Sequence, residues 1–171
     1  SNPVGGATRR REGSTPSPLR PCHTRTMSHT TLSALAFPAD LAYHVEHQTW
    51  ARLDADGTAT VGITSLGIQL SGELYMCRPR PVGAEVAQGR SIGVVELAKS
   101  VVSIKSPVSG TVIAVNMRLE DTPELVHRDP YGDGWLARLA LTDPTGDLHQ
   151  LVQGDAVVPA MAHHAWLNRQ P

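Results

Sequence analysis

Gly93-Val94-Val95-Glu96-Leu97-Ala98-Lys99-Ser100-Val101-Val102-Ser103-Ile104 reads as the end of one β-like run, Ile92 to Leu97, and the whole of a second, Val101 to Ile104. Three small or polar residues join them, and the middle one is Lys99. That spacing predicts a hairpin with Lys99 at or near its tip and the amine in water. On position alone such a lysine is ordinary solvated surface. Composition makes it less ordinary: Lys99 and Lys105 are the chain's two lysines among fifteen basic side chains. Lysine is the cation whose amine can be acylated, whereas guanidinium is far too weak a nucleophile, so a site of covalent attachment has to be lysine.

Working outward, the turn Pro107-Val108-Ser109-Gly110 leads into Thr111 to Asn116, where Ile113 and Val115 alternate with Val112 and Ala114, so one set should face a core. Upstream, Trp50 to Leu53, the turn Asp54-Ala55-Asp56-Gly57 and Thr58 to Ile63 predict another hairpin. Glu73 to Cys77 is a further β-like run, closed by Arg78-Pro79-Arg80-Pro81 and followed by Gly83 to Val86. Asp143-Pro144 places an N-cap acid before a proline at the first helical position, predicting a short helix through Leu151, with a second after Gly154. The fold class is therefore mainly β, a sandwich or flattened barrel of short strands, with short helices at the C-terminal end.

The 171 residues allow one domain and some spare length, and with aromatics at 4% the core has to be aliphatic. Residues 1–26 carry a net charge of +4 and residues 27–171 one of −5. The first part is rich in Gly, Pro, Ser and Thr and has almost nothing to bury, so residues 1–40 are expected to be a disordered tail and 41–168 the domain. Two readings of 1–26 stand: sequence upstream of a start at Met27, or a transit peptide bearing Arg and Ser/Thr. A body of charge −5 offers no field for nucleic acid or an anionic membrane, and no apolar run reaches the roughly 20 residues of a membrane-spanning helix. Cys22 and Cys77 are too few for a disulfide framework, a cysteine zinc site or an iron–sulfur cluster, which points to a reducing compartment. The expected location is cytoplasmic, or the mitochondrial matrix if 1–26 is a transit peptide.

The segment Gly93 to Lys99, continued by Ser106-Pro107-Val108-Ser109-Gly110, closely resembles the lipoyl-attachment segment of the glycine cleavage system H proteins. Ala59 to Thr64 is similar to that family's first hairpin, and Glu120-Asp121, Pro123-Glu124-Leu125 and Asp129 to Leu136 resemble its C-terminal signature, so the likeness runs from about Tyr43 to Leu151. It implies the barrel-sandwich fold of biotinyl and lipoyl carriers, with lipoic acid amidated to Lys99 and no catalytic residue of the chain's own. Glu96 and Gly110 then match positions used for recognition by the lipoate ligase or lipoyl transferase, although a turn glycine needed for positive φ also suits Gly110. In glycine cleavage the resemblance implies an arm that takes an aminomethyl group from glycine decarboxylase, presents it to the aminomethyltransferase and is reoxidised by dihydrolipoyl dehydrogenase. A monomer is expected. Biotin carriers share the fold but flank their lysine with methionine, where this chain has Ala98 and Ser100.

Several positions depart from the family. In the cleft that guards the loaded arm the family has a carboxylate, a histidine and an aspartate where this chain has Thr49, Leu70 and Ser103, and its acidic docking loop is replaced by Arg78 and Arg80. A cationic cargo has lost its obvious acid partners, and reversed rim charge selects different partners. Besides glycine cleavage, two alternatives stay open: an H-like lipoate-binding protein serving the enzymes of heterodisulfide-reductase-like sulfur oxidation, and an unlipoylated binding module. Among the other residues, Lys105 reads as surface, His163-His164 as the surface of a C-terminal helix or tail, and Cys77 as a small buried hydrophobe whose thiol could meet the dithiolane. His44 and His47, three apart in a strand, should point to opposite faces, so no metal site is expected there.

Overall fold

The computed structural model describes residues 36–168. The expected tail up to residue 35 lies outside them, with Cys22 and Met27, whereas residues 36–40 are described and Phe37 packs edge-on against Tyr43 at 6.1 Å. Among the described residues, nine strands form two antiparallel sheets. The larger takes the order β1 (Ala42–His44), β2 (Thr49–Leu53), β3 (Thr58–Ile63), β9 (Ala137–Leu141), β8 (Gly110–Val115), β5 (Glu85–Val86). The smaller is β4 (Leu74–Pro79), β6 (Ser91–Leu97), β7 (Val101–Lys105). Between them lies an aliphatic core that includes Val61, Ile92, Val95, Val108, Val112, Leu119 and Leu139, all at most 5% exposed. Burial of this kind contributes about 1.5–3 kcal/mol for each Val, Leu or Ile side chain.

Strand β2 is buried on both faces over Thr49 to Ala51, and Arg52 is exposed. Thr49 and Ala51 belong to the inter-sheet side, while Trp50 falls in a second cluster with Tyr43, Leu66, Val157 and Met161. That cluster is closed by the last helix, α5 (Val157–Leu167), and the chain leading to it bridges β1 through Tyr43 and Val152, whose amides donate to each other's carbonyls at 2.9 and 2.8 Å.

Four features differ from the sequence reading. Helices are not confined to the C-terminal end: α1 (Ser65–Ser71) lies between β3 and β4, capped by the Thr64 hydroxyl, which accepts from Gly67 N–H, and by Gly72 at φ 82°. Single turns α2 (Arg118–Asp121) and α3 (Leu125–Arg128) lie between β8 and β9. Strand β4 runs on through Arg78 and Pro79, because an edge strand needs no N–H from proline on its open side. Helix α4 (Pro144–Leu148) starts at its Asp143 cap as expected but stops short of Leu151, since the chain must extend to bridge Tyr43 through Val152. In β8 the alternation breaks at a bulge between Val112 and Ala114, so Val112 is buried, Ile113 is 42% exposed and Val115 leans on the core.

Candidate functional site

Strands β6 and β7 pair Glu96 with Val101, Val95 with Val102 and Val94 with Ser103, which leaves Ala98, Lys99 and Ser100 as the connection. The Leu97 amide donates to Ser100 O at 2.8 Å and closes the turn, and all three connecting residues are exposed. Lys99 makes no ion pair with any carboxylate of the described residues. An unpaired amine on small neighbours at a hairpin crest is open to an acylating enzyme. A flexible group attached there would sweep a wide volume without touching the core.

The companion residues fall into three places. Glu96 is exposed on the outer face of the small sheet, between Met76 on β4 and Val101 on β7. Gly110 sits at the opposite end of β7 from Lys99, and its φ is not positive; the turn-glycine reading is corrected by its surroundings. A Cβ there would strike the Ala140 carbonyl oxygen and lie 3.0 Å from its carbon, so glycine is required by the approach of β9. Arg78 and Arg80 are both exposed, on the end of β4 and just past it.

Thr49, Leu70 and Ser103 do not line one cavity. Thr49 is 1% exposed within β2, with a hydroxyl that has no partner. Leu70 is 44% exposed on α1, and Ser103 lies on β7, accepting from Lys105 Nζ at 3.4 Å. A groove of about 320 Å³ does run between α1 and α3, lined by Ser65, Ile68, Gln69, Gly72, His127 and Pro130. It adjoins the hairpin: Gly72 is two residues before Leu74, which pairs with Leu97, itself two before Lys99. His127 Nε2 accepts from Leu74 N–H at 3.1 Å, and nothing in the sequence marked that residue.

The remaining titratable groups are structural. Burial pushes the Cys77 thiol up to about 12, and at 2% exposure it is neither thiolate nor reachable by a dithiolane. His44 and His47 do not point apart, because β1 ends at His44 and the turn to Gln48, at φ 55°, brings their rings together at 4.5 Å and 19°. Burial, then the neighbouring His47, hold His44 below the usual histidine range. No cluster of the described residues could hold a metal ion, and none of their helices is long and apolar enough to cross a membrane.

The sequence model of the family described as "Glycine cleavage H-protein" matches residues 41–164. The chain belongs to the glycine cleavage H-protein family. It is 45% identical over 125 residues to the glycine cleavage system H protein of Marinobacter nauticus, covering 73% of this chain and 95% of that one. Against glycine cleavage system H protein 2 of Aquifex aeolicus it is 35% identical over 127 residues, 74% of this chain and 79% of that one. The crystal structure of an H protein from Mycobacterium marinum superposes with a TM-score of 0.58 at 34% identity, covering 62% of this chain and 87% of that one. Proteins of the H family carry lipoate covalently on a lysine. The donor set here fits such a group: an exposed, unpaired primary amine on a turn beside an open groove.

Proposed function

We propose that this chain is the lipoyl carrier of a glycine cleavage system, with Lys99 as its attachment residue. The observation that carries the reading is the crest of the β6–β7 hairpin, where the amine stands exposed and unpaired on a strand pair rooted in the core. Lys105, the other lysine, is partly buried and leans on Ser103, which suits it less.

When bound, the lipoyl dithiolane supplies a reversible disulfide able to accept a carbon fragment and electrons together. The chain's own residues orient and present. Strands β6 and β7 hold the crest out from the core, and Ala98 and Ser100 leave the amine unobstructed. Glu96 offers a lipoylating enzyme one charge at a fixed register from the target amine, on a face otherwise made of Met76, Val94 and Val101. Gly110 acts at a distance, by letting β8 and β9 close. The groove between α1 and α3 gives the arm a surface beside the crest, with Ile68 on its apolar side and Gln69 and His127 at its polar edge. Thr49, Leu70 and Ser103 carry no carboxylate, so these positions offer a cationic cargo no acid partner, and the Thr49 hydroxyl is sealed within β2. The chain is a carrier with no catalytic group of its own. Its partners are the ligase that loads lipoate, then glycine decarboxylase, aminomethyltransferase and dihydrolipoyl dehydrogenase.

The lipoylated chain is expected to support glycine–bicarbonate exchange by glycine decarboxylase, and unmodified protein to give none. Full lipoylation without exchange would reject this pathway and leave a carrier of some other cargo.

A further inference from the structure

The groove between α1 and α3 opens at the crest's own end of the small sheet. Leu74 begins β4 and pairs with Leu97, the last residue of β6, so the residues before Leu74 and after Leu97 leave the sheet on the same side. Gly72 borders the groove on that side, and Lys99 is the crest. An arm attached to Lys99 therefore meets the groove at an effective concentration on the order of millimolar, and weak contacts suffice to seat it. What can be seated follows from the lining. No carboxylate is among Ser65, Ile68, Gln69, Gly72, His127 and Pro130, and Ile68 and Pro130 give apolar surface. The Ser65 hydroxyl is engaged, donating to Ala36 O at 3.0 Å and lying 2.9 Å from the Tyr131 hydroxyl. His127 Nε2 already accepts from Leu74 N–H, so a neutral ring carries its proton on Nδ1 and has no lone pair left to accept another. A charged ring would itself be a cation. Gln69, exposed on α1, holds the one amide oxygen among these side chains. Of the acids next to the lining in sequence, Glu73 accepts from the Tyr75 hydroxyl at 3.4 Å and Asp129 from Asp133 N–H at 2.9 Å.

We propose that this groove selects the arm by charge: it holds the lipoyl chain while that chain is uncharged, and a cationic amine on the chain sends it back to solvent. Gln69 and His127 set the preference, as the two polar side chains of the lining not engaged with Tyr131, neither of which supplies a counter-charge. This rests on the carrier reading above. A primary amine is protonated near pH 7, and in this groove it would give up hydration without meeting an acid, whereas a dithiolane has no such charge to desolvate. The groove thus shelters the empty arm and leaves a loaded one free for the next enzyme.

The test uses the full-length chain after lipoylation, with uptake confirmed by intact mass, and reads the backbone amide NMR shifts of Ser65, Gln69, Gly72 and His127 against unlipoylated protein given the same reagents. The oxidised arm should displace all four amides. Reduction followed by alkylation of the arm sulfurs with bromopropane adds no charge and should keep them displaced. Alkylation with bromoethylamine adds cations at similar length and should return them to their unlipoylated positions. Gln69→Glu, and separately His127→Glu, whose carboxylate still accepts from Leu74 N–H, place an acid at an exposed position of the lining. In either variant the aminoethyl arm should displace the four amides again, its bound-to-free ratio up about threefold over wild type, as one exposed ion pair allows. Displacement by the aminoethyl arm as large as by the propyl arm in wild type would overturn selection by charge. No displacement by any form of the arm would overturn the groove as its seat. Both results leave the carrier reading standing, because intact mass reports lipoyl uptake separately. Protein that takes up no lipoyl group would remove both.

Discussion

The two turns that bound β7 are built in opposite ways. At its start, Ala98 to Ser100 are exposed and closed by one backbone bond from Leu97 to Ser100. At its end, Ser106 to Ser109 are held from several sides. The Ser106 hydroxyl donates to Val108 O at 2.6 Å, Ser109 N–H donates to Asp147 Oδ2 at 2.7 Å, and the Ser109 hydroxyl donates to Asp147 Oδ1 at 3.0 Å. Gln88 ties the same turn to α4, its Nε2 donating to Pro107 O and Asp147 O. The contrast teaches how a carrier can have a free tip on a firm base. Order is concentrated at the end remote from the chemistry, so the crest needs no local support that an approaching enzyme would have to displace.

Altering the firm end should cost stability without touching the crest. Gly110→Ala forces a methyl into the Ala140 carbonyl and is expected to lower unfolding stability by about 3 kcal/mol in urea. Lipoyl uptake by the protein that remains folded should be unchanged. Loss of uptake in folded protein would instead make Gly110 part of the ligase's recognition surface. Asp147, 4% exposed, accepts from both the amide and the hydroxyl of Ser109, and Asp147→Ala removes these two acceptors at an expected cost of about 2 kcal/mol by the same measurement.

The smallest effect lies away from both turns. His44 has a folded pKa below its unfolded value of 6.5, so the unfolded chain binds the proton more readily. Its contribution to stability is present above pH 6.5 and lost as pH falls through the folded value. Protonation also removes the acceptor for His47 N–H. The urea midpoint should therefore fall between pH 7.5 and 5.5, and His44→Gln should flatten that slope.

Much of this was legible in the sequence where the signal is local. Asp54 to Gly57 announced the β2–β3 hairpin, Asp143-Pro144 the start of α4, and the break between two valine-rich runs the crest at Lys99. Other elements were hidden by size or distance. Helix α1 is seven residues with a glycine inside, too short for a periodic signal. Val112 to Val115 alternate on paper, but a bulge resets the register. The stacking of His44 on His47 depends on a turn at Gln48 that no motif announces. The groove between α1 and α3 joins residues 65–72 to 127 and 130, and no window of sequence contains both.

The central claim is that one amine receives the lipoyl group, and peptide mapping tests it most directly. After expression with lipoate and digestion with trypsin, the adduct should lie on the peptide 91–105, left uncut at Lys99 because the amine is blocked, and Lys99→Arg should carry none. An adduct on Lys105 instead, or undiminished uptake by Lys99→Arg, would contradict the account.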